Sequence, residues 1–347
     1  MLTKVLQVGS GSMGTRRLRD VSARSDVELA LLETSDERRQ QAQARFGVTG
    51  FATMEEALAW GPQAMIISTP PQTHRELVAV AIERGLHFFS EAELFPTDYR
   101  VIERAVAEKG IVAAPSNTLL FLPVFDELRR IVRDELDAVH AYSYMLSVDT
   151  ANWHPGEGKE YYARSRSTNG TREMVVFDLS ALSYAFGLPQ DASGVLRAGG
   201  ELGGDREDTW ALQLRLAGGG AGHLVVSGGS PQTIRKGAAV GRNGTVEFDL
   251  ASGQIDCRMP ALGIDRVVRT GSIADVLEPT YKREIDTFLG AVAGNAAWPH
   301  DYRTACLVAG TLAAAERSAR SGRLERVDPE ALPAPLPDQY EVAGGNQ

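Results

Sequence analysis

Three glycines near the N-terminus carry the clearest chemical signal in the sequence. They have the spacing Gly-x-Gly-x-x-Gly and directly follow a short apolar run at residues 5–8. Glycines at this spacing allow a tight turn to bring the backbone against a pyrophosphate, whose oxygens then accept hydrogen bonds from the first N–H groups of the next helix. The motif therefore predicts a dinucleotide site. Its predicted phosphate-binding residues are Gly9, Gly11, Ser12, Met13 and Gly14.

An acidic side chain stands where such a site needs one. Glu33 follows Gly14 by about 20 residues and ends a second apolar segment at residues 27–32, which is the position of the acid that binds the adenosine ribose. A carboxylate there repels a 2′-phosphate, so the sequence predicts NAD as the cofactor, with NADP as the second choice. The alternative interpretation of Glu33 is a solvated carboxylate at a strand end. We interpret Arg38 and Arg39 as the exposed start of the next helix.

Composition limits the possible function classes. The chain has 347 residues, 43% of them hydrophobic, which suits two domains with full-sized cores. Its net charge of −9 argues against nucleic acid as a partner. No apolar stretch reaches the ~18 residues that span a bilayer. Cys257 and Cys306 lack CxxC partners and the histidines lack metal-ligand spacing, so we expect neither a disulfide nor a metal site, and a cytoplasmic protein.

The predicted secondary structure differs between the first third of the chain and the rest. Strands and helices alternate through residues 1–120, which predicts an α/β domain with a doubly wound parallel sheet of five or six strands. Residues 121–330 are predicted to form a second α/β domain for substrate binding and oligomerisation, with a large, mostly antiparallel open sheet. Residues 331–347 are predicted to be a mobile tail. The β-type segments of the second domain lie at 210–216, 223–227, 234–240 and 244–250.

Local patterns give further expectations about these elements. Thr73 is expected to cap a helix that ends at Gly85. The stretch at residues 149–172 reads as polar and irregular, and an apolar helix follows at residues 174–186. Arginines in the first helix are expected on its solvent-facing side.

The order of motifs resembles that of the Gfo/Idh/MocA oxidoreductases. Residues 68–74, Ser-Thr-Pro-Pro-Gln-Thr-His, are similar to the family's loop along the nicotinamide half of NAD. Residues 85–91 resemble the approach to its Glu-Lys-Pro motif, and Phe121-x-Pro123 resembles the opening of its second domain. The resemblance implies a Rossmann domain followed by a domain whose open sheet forms dimers or tetramers. Together with the nucleotide motif, it implies cofactor contacts from Thr69, Pro70, His74, Glu91 and Asn117.

The sequence departs from this family where the family's proton chemistry resides. The Glu-Lys-Pro motif reads Glu91-Ala92-Glu93, so its lysine is absent. The second-domain motif Asp-x-Gly-x-His-x-x-Asp falls on residues 173–180, where the histidine position holds Phe177. Oxidation of an alcohol needs a base for the hydroxyl proton, and neither alanine nor phenylalanine can accept one.

Other polar residues offer a replacement. Trp153-His154-Pro155, the pair at residues 161–162 and the Arg-Glu-Met run at residues 172–174 resemble a subgroup of the family. By position, His154 and Glu173 are expected to face the nicotinamide across a cleft. The ordinary pKa of histidine, about 6.5, suits a general base at neutral pH. We predict catalytic roles for His154, Glu173 and Tyr162, and substrate contacts from Trp153, Arg172 and Phe177.

Each of these assignments has an alternative. His154 could simply bind the backbone beside Pro155, and Tyr162 could pack against its aromatic neighbour. Glu173 could serve only to complement the positive end of a helix. Arg172 could clamp a carboxylate or phosphate, or pair with Glu173 or Asp178.

Three functions remain open on the sequence. The first is an NAD(P)-dependent oxidoreductase that moves a hydride between nicotinamide and a carbinol carbon of a sugar or sugar derivative. The second is an NAD-assisted, redox-neutral epimerase, lyase or glycosidase. The third is a non-catalytic NAD-binding protein, which the absence of the usual lysine and histidine would explain.

Overall fold

The structure, a computed structural model, describes residues 2–95, 97–150, 166–198 and 207–330. The chain divides into two compact units. The first contains Met1–Phe121 and Val276–Cys306, and the second contains Leu122–Asp275 and Leu307–Gln347.

The first unit is built on a six-stranded parallel sheet with the strand order β3-β2-β1-β4-β5-β6, which confirms the predicted doubly wound sheet. Its strands are β1 (Thr3–Val8), β2 (Val27–Leu32), β3 (Thr49–Phe51), β4 (Ala64–Ile67), β5 (His87–Ser90) and β6 (Ala113–Pro115). The helices between them are α1 (Ser12–Ser22), α2 (Asp36–Phe46), α3 (Met54–Ala59), α4 (His74–Arg84) and α5 (Tyr99–Lys109).

The ends of these helices follow the expected local chemistry with one exception. The Ser35 side chain caps α2, which ends at Gly47 in the left-handed conformation. The prediction that Thr73 caps α4 is wrong, because no side-chain cap is present among the described residues. Thr73 ends a 3₁₀ turn instead, where its hydroxyl donates to the carbonyl oxygen of Pro70 at 2.9 Å.

The second unit is built on a nine-stranded sheet with the order β14-β13-β12-β11-β7-β10-β9-β8-β15. The pairs are antiparallel except β7 with β10, which confirms a large, mostly antiparallel sheet. Its strands are β7 (Val139–Asp149), β8 (Pro189–Arg197), β9 (Thr209–Leu216), β10 (Ala221–Ser227), β11 (Gly229–Gly241), β12 (Thr245–Asp249), β13 (Gln254–Met259), β14 (Ile264–Arg269) and β15 (Glu325–Arg326). The remaining helices of the chain are α6 (Pro123–Ile131), α7 (Gly170–Phe186), α8 (Ile273–Val292) and α9 (Tyr302–Ser321).

Helix α7 begins earlier than its sequence suggests. The side-chain oxygen of Asn169 accepts a hydrogen bond from the backbone N–H of Arg172 at 2.9 Å and caps the helix there. Residues 170–172, predicted to be irregular, therefore form the first helical turn.

Helices pack on both faces of the six-stranded sheet. On one face, α5 contributes Ile102 to a core that contains Phe88. On the other face, Val21 of α1 and Phe288 of α8 pack with Phe89, and the rings of Phe89 and Phe288 are 5.7 Å apart. Strand β4 is buried along its whole length because both of its faces are covered.

This packing changes the predicted domain boundary. The predicted second domain, residues 121–330, included residues 276–306, which group instead with the first unit. The reason is that Ile285, Phe288 and Leu289 of α8 complete the core on one face of the parallel sheet. Among the described residues, no helix is long and apolar enough to cross a membrane.

Candidate functional site

The glycine loop between β1 and α1 has the close backbone packing that a dinucleotide site requires. Gly9 has a positive φ of 85°, and a Cβ there would lie 2.7 Å from the carbonyl oxygen of Ser68. A Cβ on Gly14 would lie 2.2 Å from the carbonyl oxygen of Gly9. A Cβ on Gly11 would meet no described atom within 4 Å. The loop therefore packs closely against neighbouring backbone at Gly9 and Gly14, and it has open space at Gly11, where the helix begins.

The N-terminus of α1 is available for an anion. Its cap residue is Gly11, and no described side chain caps it by a hydrogen bond. The first turn contains no acidic residue, while Ser12 is exposed and Met13 is partly exposed. Unsatisfied N–H groups and the positive end of the helix dipole can therefore bind a pyrophosphate here.

Glu33 lies directly beside this loop. Its Oε2 accepts hydrogen bonds from the backbone N–H of Ser10 at 3.0 Å and from the Ser10 hydroxyl at 2.8 Å. Its Oε1 accepts from the backbone N–H of Ser35 and from the Arg38 guanidinium, both at 3.0 Å. Burial raises the pKa of Glu33, but these four donors together lower it to about 2. The carboxylate that is expected to bind the ribose is thus ionised, and Arg38 contacts it in addition to starting α2.

Glu91, at the end of β5, is held by a buried arginine. Arg17 donates from Nε and Nη2 to the two Glu91 carboxylate oxygens at 2.9 and 3.2 Å, and the Ser68 hydroxyl donates to Glu91 at 3.1 Å. The expectation that arginines of α1 face solvent is wrong for Arg17, which is fully buried. Its position three residues after Gly14 and four before Val21 is the signal that places it on the buried face.

The other acid of the altered motif, Glu93, has a histidine as its partner. Oε1 of Glu93 lies 3.5 Å from Nδ1 of His74 and accepts a hydrogen bond from the Ser90 hydroxyl at 2.6 Å. The Nε2 atom of His74 lies 2.9 Å from the carbonyl oxygen of Thr69. Burial lowers the pKa of His74, but Glu93 and the contact with Thr69 raise it above its ordinary value.

These contacts revise how the loop after β4 meets a cofactor. His74 is 1% exposed, so it orients Thr69 rather than reaching a ligand itself. Asn117, which follows β6, is also buried, at 1%. Thr69 and Pro70 are the more exposed members of this group. Ala92 is 5% exposed and offers no titratable group.

In the second unit, α7 has partly exposed residues on one face and buried residues on another. Glu173 and Phe177 are partly exposed and lie four residues apart, which places them on one face of the helix. Asp178 is fully buried and accepts a hydrogen bond from the Tyr144 hydroxyl at 2.5 Å, while Arg235 lies 3.4 Å from its other oxygen. Burial raises the pKa of Asp178.

The predicted substrate contact of Arg172 is not supported by its position. Its side chain is 2% exposed, pairs with Glu316 of α9 and lies over the ring of Trp210. A guanidinium that is paired within the core has no path to a ligand, so Arg172 stabilises the unit instead. His154, Tyr162 and Trp153 lie outside the described residues.

The described part of the chain contains no candidate metal site. No group of three or more His, Cys, Asp or Glu side chains there could hold a metal ion.

The comparison with protein families identifies the domain that contains the glycine loop. Residues 3–110 match the model of the Gfo/Idh/MocA oxidoreductase family, described as having an NAD-binding Rossmann fold. These residues form a Gfo/Idh/MocA Rossmann domain. For this domain the match confirms the predicted family, its NAD cofactor and the assignment to NAD-dependent oxidoreductases. The glycine loop, the open N-terminus of α1 and the ionised Glu33 all fit this cofactor.

Solved structures with the same fold cover 94% of the chain. GenD2 from gentamicin A biosynthesis, in complex with NAD, has 22% identity and a TM-score of 0.77 over 94% of this chain and 97% of that chain. Levoglucosan dehydrogenase with NADH has 16% identity and a TM-score of 0.81 over 94% and 100%. WlbA dehydrogenase from Bordetella pertussis, with NADH and UDP-GlcNAcA, has 17% identity and a TM-score of 0.75 over 94% and 98%. No sequence among curated proteins matches this chain.

Proposed function

We propose that this protein transfers a hydride between NAD and a carbinol carbon of a sugar or sugar derivative. The observation that carries the proposal is the face of α7 formed by Glu173 and Phe177. Arg172 and Asp178 of the same helix pair with buried partners, and the partly exposed face combines a carboxylate with an aromatic ring. A carboxylate that accepts hydroxyl hydrogen bonds and a ring that packs against C–H groups suit a sugar.

The similar structures support a carbohydrate substrate. One levoglucosan dehydrogenase structure contains NADH and levoglucosan, and the WlbA dehydrogenase structure contains NADH and UDP-GlcNAcA. Both ligands present ring hydroxyl groups, the type of group that Glu173 can bind.

The proton must be handled by residues other than the usual lysine and histidine. Bound NAD supplies the hydride acceptor or donor. Ala92 and Phe177 cannot exchange a proton, so we assign the base to His154, with Tyr162 as hydrogen-bond donor to the substrate oxygen. Glu173 binds a neighbouring hydroxyl in this scheme, and Trp153 contributes to the substrate surface.

The test is turnover with a panel of sugars that includes levoglucosan, followed by NADH absorbance. We expect His154→Ala to lower turnover by ~10²–10⁴-fold. Glu173→Gln should raise KM more than it lowers kcat, because it removes a hydroxyl contact. His223→Ala is the control, since His223 is an exposed histidine on β10. Unchanged turnover in His154→Ala removes His154 from the mechanism.

The altered motifs favour a second candidate, a redox-neutral reaction. Without the usual lysine and histidine, transient oxidation of a sugar could acidify a neighbouring C–H bond and permit epimerisation, elimination or glycosidic cleavage, with NAD regenerated in each cycle. Consumption of substrate without net NADH formation supports this candidate. Tight NAD binding without conversion of any sugar supports a non-catalytic NAD-binding protein instead.

We further propose that the protein forms a homodimer or homotetramer through its nine-stranded sheet. A row of apolar side chains crosses four neighbouring strands at paired positions. Met145 and Val195 in this row are 45% and 72% exposed. Its members are Val195, Ala211, Val225 and Met145. Exposed contiguous apolar surface of this kind is typical of a protein interface.

Light scattering after size-exclusion chromatography tests the assembly. The double variant Met145→Lys/Val195→Lys is expected to be monomeric. Val101→Lys, at an exposed valine of α5, should leave the assembly intact. A monomeric wild-type protein would contradict the proposal.

We infer a cytoplasmic location from the two cysteines. Cys257 and Cys306 are free and buried, as expected in a reducing compartment. Fractionation of the producing cells tests this location.

A further inference from the structure

A cluster of three buried charged side chains joins four segments of the first unit. Arg17 of α1 binds Glu91 with two hydrogen bonds and donates from Nη2 to Oε2 of Glu284 in α8 at 2.7 Å. Arg17 also donates to the backbone carbonyl oxygen of Tyr281 at 3.2 Å, and its guanidinium lies 4.8 Å from the centre of the Phe89 ring. Both Arg17 and Glu284 have fully buried side chains.

The cluster contains two carboxylates and only one cation. The hydroxyls of Ser116 and Thr118 each donate to Glu284 at 2.8 Å, so its two oxygens accept three hydrogen bonds including that from Arg17. Burial raises the pKa of Glu284, while Arg17 and the Thr118 hydroxyl oppose this rise by stabilising the ionised form. When both acids are ionised, the cluster carries one uncompensated negative charge. Neutral hydroxyls provide the remaining contacts to Glu284.

Only one member of the cluster approaches the surface, and it does so beside the glycine loop. The Glu91 side chain is 13% exposed and is bonded to the Ser68 hydroxyl. The carbonyl oxygen of the same serine is the atom that a side chain at Gly9 would strike, at 2.7 Å. The uncompensated charge therefore lies at the carboxyl ends of β4 and β5, where open parallel α/β sheets bind their ligands.

We propose that Arg17, Glu91 and Glu284 form a charge-selective part of the cofactor site that favours NAD⁺ over NADH. The inference rests on the proposed contact of the loop at Thr69 and Pro70 with the nicotinamide half of the cofactor. The nicotinamide ring is positively charged only in the oxidised form, so a fixed negative charge nearby stabilises that form selectively. Because the interior screens charges less than water does, one charge at roughly 10 Å changes the ratio of the two affinities by about three- to tenfold.

The experiment measures the two dissociation constants separately, NADH by fluorescence titration and NAD⁺ by displacement of NADH. Glu284→Gln removes one negative charge while keeping the shape of the side chain. We expect it to weaken NAD⁺ binding relative to NADH by about three- to tenfold. Glu91→Gln should change the ratio in the same direction and provides a second test if Glu284→Gln does not fold.

Glu278→Gln is the matched control, because Glu278 lies on the same helix as Glu284 but is 52% exposed and screened by water. It should leave the affinity ratio within twofold of wild type. A purely structural cluster would weaken NAD⁺ and NADH by the same factor in Glu284→Gln, and that result would overturn the inference. Wild-type protein that binds neither form would instead contradict the cofactor assignment itself.

Discussion

The two units use buried charge in different ways. In the first unit, Glu33, Glu91 and Glu93 all lie at the carboxyl ends of the parallel strands, and each is paired with a basic side chain close to the glycine loop or the loop after β4. In the second unit, Arg172 and Asp178 turn away from the partly exposed face of α7 and pair within the core. The first arrangement places charge beside the cofactor loop, whereas the second anchors α7 in the core through buried pairs.

This contrast explains which chemistry can be assigned to each unit. The cofactor loop depends on backbone geometry at Gly9 and Gly14, which few other residues can satisfy. The partly exposed face of α7 holds Phe177 at the position where the resemblance places the family's histidine. Cofactor binding therefore follows from the family, while the proton chemistry has to be established for this chain.

The largest effect is expected from the buried pair in the second unit. Arg172→Met leaves the Glu316 carboxylate buried without its cation, which should lower the free energy of unfolding by about 3–5 kcal/mol. Urea denaturation measures the change, and Arg172→Met/Glu316→Gln should recover much of the loss. Arg133→Met is the control, since this exposed arginine pairs with Asp134 on the surface. Unchanged stability with a collapse of kcat/KM would instead make Arg172 a substrate residue.

The glycine loop of the first unit should respond in cofactor binding rather than in global stability. Gly9→Ala forces a Cβ against the Ser68 carbonyl oxygen and strains a positive φ, so we expect NAD affinity to fall roughly 10- to 100-fold. Calorimetric titration measures the affinity. Gly218→Ala is the control because a Cβ there meets no described atom within 4 Å. Near-normal affinity in Gly9→Ala would refute the tight-turn assignment.

A smaller effect should separate NAD from NADP. Glu33→Gln removes the negative charge that repels a 2′-phosphate and weakens the contact with the ribose hydroxyls, so the preference for NAD should fall about tenfold. Dissociation constants for both cofactors give the ratio. Glu37→Gln, at the exposed start of α2, should leave the ratio unchanged. A wild-type preference for NADP would contradict the role of Glu33.

The smallest effect is a pH dependence carried by His74. Its pKa is raised in the folded protein, so the stabilisation that it provides is fully present below about pH 6.5 and is lost as the pH rises through the folded pKa. NAD affinity should therefore fall by a factor of about three as His74 loses its proton and its pairing with Glu93. His74→Gln should flatten this profile, with His87→Gln as the control. An identical profile in wild type and His74→Gln would exclude the mechanism.

Particular residues show why sequence reasoning succeeds in one unit more than in the other. The parallel sheet and the position of Glu33 beside the glycine loop follow from local spacing, and the structure has both. The predicted β-type segments do not include β13 and β14, which are only six residues long and whose apolar residues are interrupted by charged ones. The partner of Arg172 was also missed, since Glu316 lies 144 residues away along the chain. Nothing local to either residue indicates that contact.

The central claim is that NAD accepts a hydride directly from a carbinol carbon of a sugar. The most direct test incubates the NAD-loaded protein with sugars that carry deuterium at their carbinol carbons, levoglucosan among them, and examines the recovered cofactor by mass spectrometry. The account predicts deuterium on the nicotinamide ring of the NADH that forms in a net oxidation. In a redox-neutral conversion the deuteride returns to the substrate, so there the account predicts labelled NADH only when turnover is quenched before the return step. Recovery of unlabelled cofactor from every sugar, in quenched as well as completed reactions, by protein that demonstrably binds NAD, would contradict it.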